Sequence, residues 1–188
     1  MNFQHFIYVV TFVFLLNIQN VLASFIDHPV DSSHWTDKYD RHFKKYSKRY
    51  FGPLFDWHWF KAQSIAESAL NKDAESHVGA RGLMQIMPDT FKDISKVNPH
   101  FSKLESPKWN IAAGIYYNRS IYRKIKNSSE QDKLYLTFAS YNAGYGRILN
   151  ASKRTGEKEK DWNKIKKYLP KETRGYVRRI RKLMGESE

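Results

Sequence analysis

The chain has 188 residues, 41% of them hydrophobic and 15% aromatic, which suits one compact domain with a real core and leaves a bias toward disorder only at the ends. It contains no cysteine, which excludes a disulfide framework, a thiol nucleophile and a lipid-modified cysteine. The formal net charge of +13 attracts anionic polymers, whether wall glycans with acidic stem peptides, teichoic acids, lipid head groups or nucleic acid, and does not choose among them.

The first 23 residues carry no Asp, Glu, Lys or Arg, and residues 6–16 are almost wholly apolar. This reads as a secretory signal over 1–23 with cleavage after Ala23, although its positive region is missing apart from the N-terminal amine and His5. The alternative is a retained anchor, but the apolar run is shorter than the roughly 20 residues a spanning helix needs. Export to the periplasm or the cell wall argues against nucleic acid as the partner.

Residues 24–37 are polar and lack periodicity, as a linker does. The spacing of Phe43, Tyr46 and Tyr50 predicts an amphipathic helix over 39–50 whose aromatic stripe packs on the domain. Linker and helix together make up 24–51, and the main domain is expected over 52–184. After the break at Gly52-Pro53, Asp56 is placed to cap a helix over 57–69. Turn chemistry fills 71–81, and Pro88 opens a helix to about 97. Pro107 opens a long helix to about 126, with Ile111, Ile115, Tyr122 and Ile125 on one face. Ser129 with Asp132 forms a capping box for a helix over 130–142. Short helices follow over 147–151 and 162–168, with a polar loop over 153–160 between them, and a last helix runs over 172–184. No strand pattern and no repeat is visible, so the fold class is all-α.

Glu67 sits near the C-terminal end of a largely apolar helix. A carboxyl group among apolar neighbours loses hydration, so its neutral form is favoured and it can donate a proton near neutral pH. Helix pattern alone favours a helix-end surface glutamate, or one paired with a basic neighbour. The segments around it weigh the other way. Ser76-His77-Val78-Gly79-Ala80-Arg81-Gly82-Leu83-Met84-Gln85-Ile86-Met87-Pro88 follows, and Ala139-Ser140-Tyr141-Asn142-Ala143-Gly144 comes later. Met84 has the composition of ordinary core, whereas Gln85, an amide within an apolar run, needs a hydrogen-bond partner if buried. No second acid holds an obvious partner position: Asp73, Glu75 and Asp89 read as solvated turn or capping residues. Histidines are scattered, so no metal is expected, and no nucleotide-binding motif or other cofactor signature is present.

These segments, with Phe55-Asp56-Trp57, Ala62-Gln63, the run from Asn110 to Tyr117, and Tyr176-Val177, resemble the lytic transglycosylase (SLT-type) domain of the lysozyme-like superfamily over residues 52–182. Within it the chain is most similar to the catalytic module of membrane-bound transglycosylase F. The resemblance implies a goose-type-lysozyme-like, multi-helix fold with a substrate cleft. It implies cleavage of the β-1,4 bond between N-acetylmuramic acid and N-acetylglucosamine in peptidoglycan glycan strands, with closure of a 1,6-anhydro ring and Glu67 as the single acid/base. It also implies that Ser76 serves the 2-acetamido group or orients the carboxylate. Met84 and Gln85 would line the cleft, Tyr141 and Asn142 would face the sugars, and Tyr176 would point toward the acid. Two departures stand out: His77 where proline is common, and Ser140 where alanine is usual. A hydrolytic muramidase of the same fold and a non-catalytic wall-binding module remain alternatives. The basic C-terminal run reads first as a solvated helix face and second as a contact for an anionic wall or membrane surface.

Overall fold

The computed structural model describes residues 33–186. The signal segment and most of the linker lie outside the described residues. Among the described residues there are eight α-helices and one 3₁₀ turn, in the order α1 (Asp40–Phe51), α2 (His58–Ser68), α3 (Pro88–Val97), α4 (Pro107–Lys124), α5 (Glu130–Ala143), α6 (Tyr145–Thr155), α7 (Trp162–Ile165), the 3₁₀ turn Lys166–Tyr168, and α8 (Lys171–Leu183). Among the described residues the β-type pairing consists of the isolated bridges Glu75–Arg81 and Arg81–Ile86, which lock the loop after α2 into a compact double turn.

Helix α5 is the axis of the domain. Its residues 134–140 are all buried, because α4, α6, α7 and α8 pack around it. Sealed on every side, it carries no apolar stripe of its own. Its two sealed hydroxyls bond back along the helix, Thr137 to the Lys133 carbonyl and Ser140 to the Leu136 carbonyl, so neither costs an unpaired group. The Ser129 hydroxyl caps α5 by accepting from the Asp132 N–H at 3.1 Å.

Helix α1 lies against α4 and joins the same core through Phe43 and Tyr46. Full burial of one such aromatic side chain is worth roughly 1.5–3 kcal/mol. A second tie is polar: Lys61 of α2, 1% exposed, meets Asp40 at the start of α1 with Nζ 2.5 Å from Oδ1. The rings of Trp35 and Trp57 cover that ammonium at 4.9 and 5.6 Å. Trp35 also stacks on His58. The chain before α1 is therefore docked from Trp35 onward and is not linker as far as 37.

Three further boundaries differ from the sequence expectation. Helix α2 runs over His58–Ser68, one residue shorter at each end than expected, although Trp57 already has helical dihedrals and Asp56 Oδ1 accepts from the His58 N–H as the expected cap does. Helix α4 stops at Lys124, and Ile125 turns to extended backbone to bury its side chain. Helix α6 is eleven residues long and not five: its buried stripe Ile148, Ala151 and Ser152 continues, Lys153 and Arg154 suit its C-terminal end, and Gly156 at φ 72° stops it.

Candidate active site

Helix α2 ends just past Glu67, where Ala69 and Leu70 turn left-handed at φ 52° and 58°. Two consecutive non-glycine residues in that region are costly, roughly 1–3 kcal/mol each, and persist only when the surroundings hold them. The hold comes from the loop that follows. Ser64 and Ser68 both donate to the Leu83 carbonyl, at 2.8 and 2.9 Å. Asn110 of α4, 1% exposed, accepts from the Met84 N–H at 2.8 Å and donates to the Arg81 and Leu104 carbonyls. Gly82, at φ 77°, lies so close to Asn110 that a Cβ there would sit 2.5 Å from its Nδ2. The loop is thus pinned from both sides, by α2 and by α4.

Glu67 is half-buried, and its carboxyl titrates far above the ordinary range, at about 7. Loss of hydration is the largest cause. The Tyr176 hydroxyl, donating to Oε1 at 2.6 Å, and the Arg179 guanidinium both favour the charged form, and burial outweighs them. Tyr141 of α5 shares this environment. Burial and the charge of Glu67 push its hydroxyl, like that of Tyr176, well above its usual value. Both phenols are therefore neutral donors throughout the accessible pH range.

The remaining residues singled out from the sequence occupy distinct positions. The Tyr141 hydroxyl donates to the Met84 carbonyl at 2.8 Å, and its ring meets Tyr117 edge-on. The Met84 side chain is fully buried. This corrects the expectation that it lines the cleft: it packs where Gly114 leaves room for it, and only its backbone faces the site. Gln85, left-handed at φ 45°, donates from Nε2 to the carbonyls of Ala74 and Gly82, which braces the loop. Ser76 accepts from the Ala80 N–H, so its hydroxyl closes the Ser76–Ala80 turn, and the hydroxyl that orients Glu67 belongs to Tyr176. Asn142 is exposed, as is His77. Asp73 pairs with Lys72 and Glu75 with Arg81 at the surface, and Asp89 is exposed in the first turn of α3.

Sequence reasoning passed over Gln63 and Asn118 as functional residues. Both are sealed from solvent and stand directly behind Tyr176. The available signal was an amide on the apolar side of each helix, Gln63 one turn before Glu67 and Asn118 one turn after Gly114. Among the described residues no group of acidic or histidine side chains is arranged to hold a metal.

A family model described as the transglycosylase SLT domain matches residues 52–164. The chain belongs to the SLT transglycosylase domain family. The membrane-bound lytic murein transglycosylase F of Photobacterium profundum is 33% identical over 132 residues, covering 68% of this chain and 24% of that protein. The 70 kDa soluble lytic transglycosylase of Escherichia coli superposes with a TM-score of 0.67 at 29% identity, covering 80% of this chain and 24% of that one. The lytic transglycosylase Slt of Pseudomonas aeruginosa, solved as an inactive mutant with one glutamate replaced by glutamine, gives 0.67 at 25% identity over the same shares. The SLT domain here thus has the all-α, lysozyme-like fold, and the chain spans about a quarter of the length of these relatives.

Proposed function

We propose that this SLT domain is a peptidoglycan lytic transglycosylase that cleaves the β-1,4 bond between N-acetylmuramic acid and N-acetylglucosamine, acting outside the cytoplasm. The observation that carries the reading is the dehydrated Glu67 carboxyl, which titrates at about 7 and accepts from Tyr176, with no carboxylate among the described residues that act on it. Glu67 protonates the glycosidic oxygen as the bond to the anomeric carbon breaks. As a carboxylate it then takes the proton of the muramoyl C6 hydroxyl, whose oxygen attacks that carbon and closes the 1,6-anhydro ring. Glu67 ends protonated, ready for another cycle, and no water is consumed. A glycosidase with two carboxyl groups needs the second as base or nucleophile. The charge that acts on Glu67 here is a cation, Arg179, which supports a route in which the substrate supplies its own nucleophile, held close enough to replace an encounter with water.

Ser76 serves the 2-acetamido group in this reading, since Tyr176 has the orienting role. Gln85, Tyr141 and the exposed Asn142 form the wall that meets the sugars, with Met84 contributing its backbone. A groove of about 390 Å³, lined by Trp162, Lys166, Lys171, Arg174, Arg178 and Arg181, provides the contact for anionic wall polymer or membrane surface.

Digestion of purified peptidoglycan followed by mass spectrometry tests the reaction. Products lighter by one water than hydrolytic fragments are expected, whereas reducing ends would make the chain a muramidase. Glu67→Gln should bind the wall and release nothing. Release by that variant would remove Glu67 from the chemistry.

A further inference from the structure

Two sealed amides and a phenol line up behind Glu67. Asn118 on α4 and Gln63 on α2 are both 0% exposed, and Tyr176 on α8 is 1% exposed. Asn118 Nδ2 donates to the Gly114 carbonyl at 3.0 Å and to Gln63 Oε1 at 2.7 Å. Gln63 Nε2 donates to the Tyr176 hydroxyl at 3.0 Å, and Tyr176 donates to Glu67 Oε1 at 2.6 Å.

Such a chain runs in either direction unless one end is fixed, because an amide offers an acceptor on one side and donors on the other, and a phenol both gives and takes. The fixed end is the Gly114 carbonyl, a helix oxygen that only accepts. Turning the Asn118 amide over would set its oxygen 3.0 Å from the Gly114 carbonyl oxygen and 2.7 Å from Gln63 Oε1, two acceptor pairs with no proton between them. The present orientation leaves only Asn118 Oδ1 buried and unpaired. With Asn118 held so, Gln63 turns its carbonyl toward α4 and its NH₂ toward Tyr176. The phenol oxygen accepts there, and its single proton goes to Glu67. The groups facing the carboxyl are then Tyr176 and Arg179 from α8 and Tyr141 from α5.

We propose that Gln63 and Asn118 are positioning residues that fix the direction of donation along Asn118–Gln63–Tyr176–Glu67, so that Oε1 of Glu67 always accepts and the transferable proton is carried on Oε2. A carboxyl group free to place its proton on either oxygen would present the wrong one to the glycosidic bond part of the time. The inference rests on the reading of Glu67 as the proton donor.

The test uses the full chain with Gln63→Met (an apolar near-isostere), Asn118→Asp and Tyr176→Phe. The Glu67 carboxyl is titrated by ¹³C NMR, identified as the signal lost in Glu67→Gln, and cleavage is followed against pH. Tyr176→Phe should raise the midpoint by about one pH unit. Gln63→Met should raise it by about half as much, since the donor that polarises the phenol is lost. Asn118→Asp makes Gln63 turn its NH₂ to the new carboxylate, draws the Tyr176 proton away from Glu67, and should match Tyr176→Phe. Each should lower kcat roughly 3- to 10-fold with KM unchanged. A folded Gln63→Met that titrates and cleaves like the parent overturns the inference, and it decides alone if Asn118→Asp fails to fold. A Tyr176→Phe midpoint equal to the parent's overturns it as well. Cleavage by Glu67→Gln would instead remove the proposed function, which keeps the two failures distinct.

Discussion

Tyr176 and Glu67 stand 109 residues apart in sequence and 2.6 Å apart in space, the phenol donating to Oε1. The bond stabilises the carboxylate, yet the carboxyl still titrates at about 7, because the dehydration at the end of α2 outweighs it. The site is therefore a balance of opposed effects, and each can be changed separately.

The first consequence concerns rate against pH. The acid form of Glu67 starts the reaction, so kcat/KM for cleavage of a defined glycan should fall as pH rises through about 7. Removing the Tyr176 donor should move that fall to higher pH while lowering the maximum. A fall centred below pH 5 would mean that the carboxyl is hydrated as in water.

The second concerns stability against pH. Folding raises the Glu67 pKa from 4.5 to about 7, so burial is tolerated in full below pH 4.5 and penalised as pH rises through 7. Glu67→Gln removes the titration. Relative to the parent, the variant should gain about 2 kcal/mol between pH 4.5 and pH 8, read from urea unfolding at both pH values. An unchanged difference across that window would show that folding does not perturb the group.

Much of this was legible beforehand. The stripe Phe43, Tyr46 and Tyr50, the proline-opened helices α3 and α4 and the Ser129 cap are local signals, and local signals survive into the fold. Other features depend on what lies across from a residue. Met84 looks equally suited to a cleft wall and to core, and only the missing side chain of Gly114 on another helix decides for core. The extent of α6 was hidden because its charged C-terminal end reads as loop until Ile148, Ala151 and Ser152 are seen to be buried together. Gln63 and Asn118 escaped notice because their meaning lies in a hydrogen-bond chain across three helices.

Gly114 gives a third prediction. A Cβ at this position would lie 2.8 Å from Met84 Cβ and Cγ, too close for real contacts, and Met84 is held from behind by Asn110. Gly114→Ala should cost about 2–3 kcal/mol and also weaken cleavage, since the displaced Met84 carbonyl is the acceptor of Tyr141. Gly146→Ala is the matched control: its Cβ meets nothing within 4 Å, and it should gain a few tenths to about 1 kcal/mol. Equal melting temperatures for the two variants would contradict the packing described.

The buried pair at the junction of α1 and α2 is the fourth case. Asp40→Asn leaves the Lys61 ammonium, 1% exposed, with ring faces in place of a counter-charge. About 3 kcal/mol should be lost in urea unfolding. The replacement of Lys61 by Met together with Asp40→Asn should recover most of it, because no charge is then stranded. If the single and double variants unfold alike, the pair contributes nothing beyond packing.

The basic groove on α7, the 3₁₀ turn and α8 is separable from the chemistry, because none of Glu67, Gln85 and Tyr141 lines it. Like charges crowded along Lys166, Lys171 and Arg174 repel one another, and a polyanion relieves that repulsion by displacing the small ions around both partners. Lys171→Gln with Arg174→Gln should therefore weaken sedimentation with insoluble wall sacculi at low salt and flatten its dependence on salt. Turnover of a short, peptide-free glycan fragment should stay at the parent rate. Sacculus binding that remains equally salt-sensitive in the double variant would place the anionic contact elsewhere on this strongly cationic surface.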